Sequence, residues 1–220
     1  MDVNPYAPPK AASGTETIRG AVKENHELRT LARTQLKGGW LAAAGLTLVY
    51  NIMVNGVHYI DLVMGWTIPG FFVQFIVGGP LTLGFMVYFL NNARGQPAQF
   101  WNLFEGFRQF GKSLLLYVLF VLFVTLWALL LVIPGFIKMF SYSMSYFILR
   151  DNPEIGPIEA LAQSKKMMNG YKGKLFCLYA SFIGWALLSV LTFGLGLLWL
   201  VPYMMQSMTN FYEDIKHNNA

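Results

Sequence analysis

One cysteine, Cys177, and three histidines occur in 220 residues, which excludes an internal disulfide framework and leaves little material for a metal cage or a nucleophilic triad. Charge is scarce too. Asp, Glu, Lys and Arg make up 12% of the chain against 55% hydrophobic residues, and the mean hydropathy is +0.45. So few charged groups cannot cover a water-soluble surface, and the composition is that of an integral membrane protein. No Asp or Glu lies inside a clear apolar run, which argues against a proton-coupled transporter, whose relay needs a carboxylate at depth. A Gly-rich phosphate loop, paired carboxylates and an intramembrane Ser and His arrangement are also missing. His58 and Asp61 stand three apart in the first outer connection, but two ligands do not make a metal site. The expectation is a non-enzyme with no cofactor, no metal and no nucleic-acid partner.

What is present divides into four stretches. Residues 1–14 are rich in Pro, Ala and small polar groups, lack the apolar core of about 7–15 residues that a signal peptide needs, and read as a disordered cytosolic tail. Residues 15–38 are charged and helix-forming, with Ile18, Val22, Leu28, Leu31, Ala32 and Leu36 as an imperfect apolar stripe and Ser13 with Glu16 as a capping box. This helix is expected to lie on the membrane surface. Residues 39–213 form a six-helix membrane domain, and 214–220 a cytosolic tail. A span needs about 20 residues, and the six candidates are 40–57, 71–90, 113–133, 135–149, 175–191 and 195–211. Fifteen of the 16 Lys and Arg fall before the first span, in the second and fourth connections, or in the tail, which puts both termini in the cytoplasm. Lys138 is the exception.

The chain also repeats itself. Three basic junctions read LKGGW at 36–40, FGKSL at 110–114 and YKGKL at 171–175, and three breaks read VGGP, VIPG and WLVP, with Pro80, Pro134 and Pro202 at equivalent places. Each unit is an amphipathic helix, a junction, a span, a break and a return span. The fold class is therefore all-α, with six transmembrane helices as three repeated amphipathic-helix plus hairpin units. The second amphipathic helix covers 97–110, with Phe100, Leu103, Phe104, Phe107 and Phe110 on one face and Trp101 beside them. The third covers 157–168, with Ile158, Leu161, Ala162 and Met168 on one face and Asn169-Gly170 as its stop. Two readings fit the prolines: three broken helices around a central site, or three tight hairpins turning at the outer interface.

The return spans are the polar ones. Counting four and eight residues from each proline gives Gly84, Lys138 and Gln206, then Tyr88, Tyr142 and Asn210. Lys138, Ser141, Tyr142 and Ser145 share one helical face, and Gln206 and Asn210 another, so a polar path between the return helices is one interpretation. Ordinary hydrogen bonding between helices is the other, and Lys138 can equally snorkel to the surface. On the cytosolic side Trp101, Arg108, Lys112, Lys165, Lys166, Lys172 and Lys174 can form a collar against anionic headgroups, or they can simply set topology.

The run YSMSYFILRDNPEIGPIEALAQSKKMMNGYKGKLF and the later FIGWALLSVLTFGLGLLWLVPYMMQSMTNFYE closely resemble the bacterial integral-membrane family called domain of unknown function 975, over residues 31–214. Ile133-Pro134-Gly135, Tyr142-Ser143-Met144, Asp151-Asn152-Pro153, Ser164 to Tyr171, Gly184-Trp185, Pro202-Tyr203 and Phe211-Tyr212 carry the likeness. It implies a six-span protein of the bacterial cytoplasmic (inner) membrane, and a distant similarity to the membrane domain of some glycerophosphodiester phosphodiesterases. It implies no activity and no functional residues. The leading expectation is a non-enzymatic membrane protein that engages lipids, other membrane proteins or itself, in envelope maintenance. A channel with a path through Lys138, Tyr142, Gln206 and Asn210 is the second. A lipid enzyme dependent on His58 and Asp61 is the third.

Overall fold

The structure, a computed structural model, describes residues 22–64 and 68–219, without the side chains at 57–62, 64, 68–71, 132 and 219. The expected tail, the Ser13–Glu16 cap and Ile18 lie outside the described residues, as do the His58 and Asp61 side chains. The described chain is all-helical: α1 (Asn25–Leu36), α2 (Trp40–Met64), α3 (Ile68–Ala93), a 3-10 helix (Phe100–Gln109), α4 (Phe110–Leu130), α5 (Val132–Tyr142), α6 (Ser145–Asp151), α7 (Pro157–Met167), α8 (Lys172–Ala180), α9 (Ile183–Leu191) and α10 (Leu197–Asn219). Three stretches are long and apolar enough to cross a membrane: Phe72–Ala93, Phe100–Leu130 and Lys172–Leu191.

Burial follows a single pattern. The second half of α3 is buried almost all round, from Leu81 to Leu90, and so is α10 from Gln206 to Tyr212. These segments are the pillars of the core, α3 because a helix apolar on every side must be surrounded by others, and α10 because Gln206, Ser207, Thr209 and Asn210 are buried along with its apolar side chains. α1, α2 and the 3-10 helix pack on them, with α6 against α3 and α7 against α10. Toward the hairpin turns burial stops: Val63, Phe72 and Ile76 around the α2/α3 turn, Leu129, Leu130, Leu131 and Ile133 at the α4/α5 turn, and Leu187, Leu188, Val190, Leu191, Phe193 and Leu195 at the α9/α10 turn are exposed apolar side chains. Each hairpin is thus packed at its open end and bare at its closed end. Small residues hold the pairs close. A Cβ on Gly135 would lie 2.8 Å from the Ala128 Cα, and one on Gly196 would lie 2.6 Å from the Ser189 Oγ. The last turn runs through Phe193 at φ 53° and Gly194 at φ 84°.

Several expectations are corrected. Pro80 and Pro202 are neither breaks nor tips but lie inside α3 and α10; only Pro134, in the first turn of α5, follows a hairpin turn. The expected span 135–149 is instead two short helices. Ser141, Ser143 and Ser145 donate their hydroxyls to the carbonyls of Ile137, Phe140 and Tyr142, and the Met144 N–H turns to the Ser164 Oγ at 3.1 Å, so the helical ladder is interrupted. α1 does not lie free on a surface: Leu28, Ala32 and Leu36 are buried, and the helix packs on α10. On α7, Leu161 and Met168 are buried but Ile158 and Ala162 are exposed, because Ala160 and Ser164 take the inner face. The Asn169-Gly170 stop is found, with Gly170 at φ 85°.

The aromatic segment has a different period from the one expected. It is a 3-10 helix, in which residues three apart eclipse. Trp101, Phe104, Phe107 and Phe110 therefore form an exposed ladder with ring centroids 6.3, 6.3 and 6.4 Å apart, while Leu103 and Gly106 face inward. The reason lies in α3. Gly84 abuts the Leu103 carbonyl, and Gly106 abuts the Pro80 carbonyl. Three residues of 3-10 helix rise about 6 Å, as do four residues of α-helix, so the two contacts register only in this geometry.

Candidate functional site

At the open end of the bundle a carboxylate gathers three donors. Asp151, at the C-terminus of α6, has a side chain only 8% exposed, and its Oδ2 accepts from Arg94 Nη2 at 2.8 Å, Tyr212 Oη at 2.8 Å and Lys216 Nζ. Arg94 also donates to Glu213 Oε1 from Nε and Nη2, at 3.0 and 2.7 Å. The clasp joins the residue after α3, the end of α6 and the last turns of α10. Tyr212 is fixed from its other side by stacking on Phe147, 4.9 Å between centroids. Burial pushes the Asp151 carboxyl up, but hydrogen bonds from Arg94, Lys216 and Tyr212 outweigh it and hold the group below its ordinary value. The hydrogen bond to Asp151 in turn raises Arg94. An ionised carboxylate that accepts three bonds on one oxygen is a fastener, not a proton carrier. Sequence reading treated Arg94 as a topology signal only; the one hint was that Asp151 and Tyr212 both fall in the motifs that carry the family likeness.

The residues proposed for a polar path do not come together. Gln206 is fully buried, donating from Nε2 to Gln35 Oε1 at 2.8 Å and accepting from Asn92 Nδ2 at 3.0 Å. Asn210 reaches the Leu28 carbonyl at 3.5 Å. Both tie α10 to its neighbours. Ser141 and Ser145 are buried and bond within their own chain turn, and Tyr142 packs between Phe120 and Phe123. Lys138 lies elsewhere, with Nζ 4.4 Å from the centroid of Trp127. Gln206→Leu is expected to destabilise the fold by about 1–3 kcal/mol, the cost of leaving Gln35 and Asn92 short of a partner. A thermal melt of the detergent-solubilised chain checks it.

The proposed headgroup contacts are also divided. Trp101 is 73% exposed, and Arg108, Lys165 and Lys166 are exposed too. Lys112 is held by the Pro153 carbonyl, and Lys174 by the Val22 carbonyl at 2.6 Å, so these two fasten segments together. Lys172 lines a cavity.

That cavity, about 910 Å³, lies between α4, α5 and α8, with aromatic walls from Tyr117, Phe120, Phe136, Phe140 and Phe176. Tyr146, 4% exposed, belongs to its lining, and its buried hydroxyl has no partner among the described residues. A second cavity, about 770 Å³, is bounded by Trp40, Trp185, Trp199 and Tyr203, with the Arg33 guanidinium 5.1 Å from the Tyr203 ring centroid. Lys138, Tyr142, Gln206 and Asn210 line neither. No cluster of three metal-ligating side chains occurs among the described residues.

The fold and the positions of the motif residues can now be set beside known proteins. A family model described as protein of unknown function (DUF975) matches residues 22–141 and 128–219. The chain belongs to this family. Among curated proteins and solved structures, none matches it. The DUF975 motif residues do structural work here: Asp151 and Tyr212 close the open-end clasp, Ser164 caps Met144 and bonds the Ser141 carbonyl, and Gly135 brings α5 against α4.

Proposed function

We propose that this DUF975 chain is a non-enzymatic protein of the bacterial cytoplasmic membrane whose three hairpins enter the bilayer as six spans, closed ends outward and both termini in the cytoplasm. The hairpins are read as three units of one repeat. The observation that carries this is the opposition of surfaces: bare apolar side chains at every closed end, and Lys and Arg gathered at the open ends, Lys138 excepted. Its work is to engage lipids or neighbouring membrane proteins in envelope maintenance. The Trp101 to Phe110 ladder supports a headgroup-level collar, since aromatic rings with Arg108 on the same helix, and Lys165 and Lys166 exposed on α7, suit an interface that is apolar on one side and anionic on the other. The buried amides of Gln206 and Asn210 are engaged in bonds between helices, which favours a packing role for them over a channel path.

Two measurements test the proposal on the full chain. In a Cys177→Ser background, Phe193→Cys is expected to react with an impermeant thiol reagent from outside the cell, and His217→Cys only after lysis. A Phe193→Cys chain unreactive from both sides would mean hairpins that dip into the bilayer without crossing it. Hydrogen exchange of the 3-10 helix and α7 in vesicles is expected to slow when phosphatidylglycerol is added to phosphatidylcholine. Equal exchange in the two would remove the lipid collar.

A further inference from the structure

We infer that the cavity between α4, α5 and α8 is a binding site for one anionic phospholipid of the surrounding bilayer, an acyl chain along its aromatic wall and its phosphate at Lys172. The inference rests on the proposal that the hairpins lie in the membrane, and it goes further by naming a ligand and a place for it.

Three observations converge. The first is size and lining. The volume, about 910 Å³, is within the range of about 300–1,000 Å³ usual for sites that enclose a small molecule, and the walls are almost wholly hydrocarbon. They continue into the exposed outer faces of Ile133, Phe136 and Ile137, so the entrance is lateral, from the hydrocarbon layer. The second is charge. Lys172 lines the cavity and no carboxylate does. Lys138 lies within electrostatic range of both Lys165 and Lys172, and among the described residues none of the three has an ion-pair partner. Lys172 at the wall of an apolar cavity, with Lys138 and Lys165 adding positive charge to the same region, favours an anion there. The third is Tyr146, a residue of the same wall whose buried hydroxyl has no partner among the described residues. A buried O–H without an acceptor is costly, and a phospholipid brings one, the ester carbonyl, next to its phosphate.

The alternatives fit less well. A soluble anion has no use for the aromatic wall. A second copy of the chain meeting this face about a two-fold axis would bring the same three lysines against their equivalents.

The test is photolabelling of the whole chain in vesicles by phosphatidylglycerol or phosphatidylcholine carrying a diazirine on one acyl chain, with labelled peptides mapped by mass spectrometry. Label is expected to concentrate on α5 and α8 around Phe136, Phe140 and Phe176. Phosphatidylglycerol should label them about fivefold more than phosphatidylcholine does, the preference that one lysine confers near anionic lipid. Lys172→Gln should bring the two lipids level, and Ala180→Trp, which fills the space, should remove label there while leaving it at Leu187 to Leu191. Label spread evenly over all exposed hairpin faces in the wild-type chain would overturn the site yet leave the membrane proposal standing. Label missing from the hairpin ends as well would remove the membrane proposal itself. A cavity that stays unlabelled while neighbouring copies crosslink through α5 or α8 would assign it to self-association and overturn the lipid inference.

Discussion

Gly106→Ala and Gly84→Ala are each expected to leave little folded protein, the largest effects of an added methyl group at any described glycine. An alanine Cβ at Gly106 would sit 1.9 Å from the Pro80 carbonyl oxygen, and one at Gly84 would sit 1.9 Å from the Leu103 carbonyl oxygen. Overpacking a core usually costs about 1–3 kcal/mol, because side chains shift to make room. Here the obstruction is backbone on both sides of one crossing, so relief requires separating the 3-10 helix from α3, and the cost should exceed that range. Leu103 would lose its burial, and the Trp101 to Phe110 ladder would lose the support that aligns it. Gly111→Ala is the control. It adds the same methyl at the start of α4 with nothing within 4 Å, and should be neutral or slightly stabilising through helix propensity. Thermal melts and folded yield of the three variants in detergent distinguish them. Equal melting of Gly106→Ala and Gly111→Ala would mean that the crossing is looser than these contacts require.

The contrast between those glycines shows which parts of the architecture local sequence carries. Helical hairpins, basic open ends and the Asn169-Gly170 stop are properties of neighbouring residues and could be read directly. The period of the aromatic segment could not. Phe104, Phe107 and Phe110 satisfy a three-residue period and pass as part of a 3.6-residue stripe, and the choice is made by Pro80 and Gly84, which belong to another helix. Pro80 and Pro202 were read as breaks because proline removes a backbone donor. Both lie instead within continuous helices, buried in the core. Of the two expected polar stripes, Gln206 and Asn210 share α10, while the other is split, with Lys138, Ser141 and Tyr142 on α5 and Ser145 on α6, and the partners Gln35, Asn92 and the Leu28 carbonyl are far away in sequence. The same distance hid the clasp, whose members Arg94, Asp151 and Lys216 carry no local pattern.

Asp151→Asn should open that clasp, with an effect second only to the glycine crossing. Removing one partner of a buried ion pair typically costs about 3–5 kcal/mol. The Asp151 side chain is 8% exposed, but those of Arg94 and Lys216 are 28% and 41% exposed and would regain water, which lowers the expected loss to about 2–4 kcal/mol. Asparagine keeps an acceptor for the Tyr212 hydroxyl, so the loss reports charge more than shape. The wild-type chain should carry a matching pH signature. The folded-state carboxyl titrates below its ordinary value, so an unfolded chain takes up the proton first as pH falls. The stabilisation is therefore complete above about pH 4, the unfolded value, and is lost as pH drops through the depressed folded value. Melting temperature should fall across that interval in wild type and much less in Asp151→Asn, while Arg94, protonated throughout, contributes no slope of its own. Parallel pH profiles for the two proteins would show that the carboxylate is not what binds α3, α6 and α10 together.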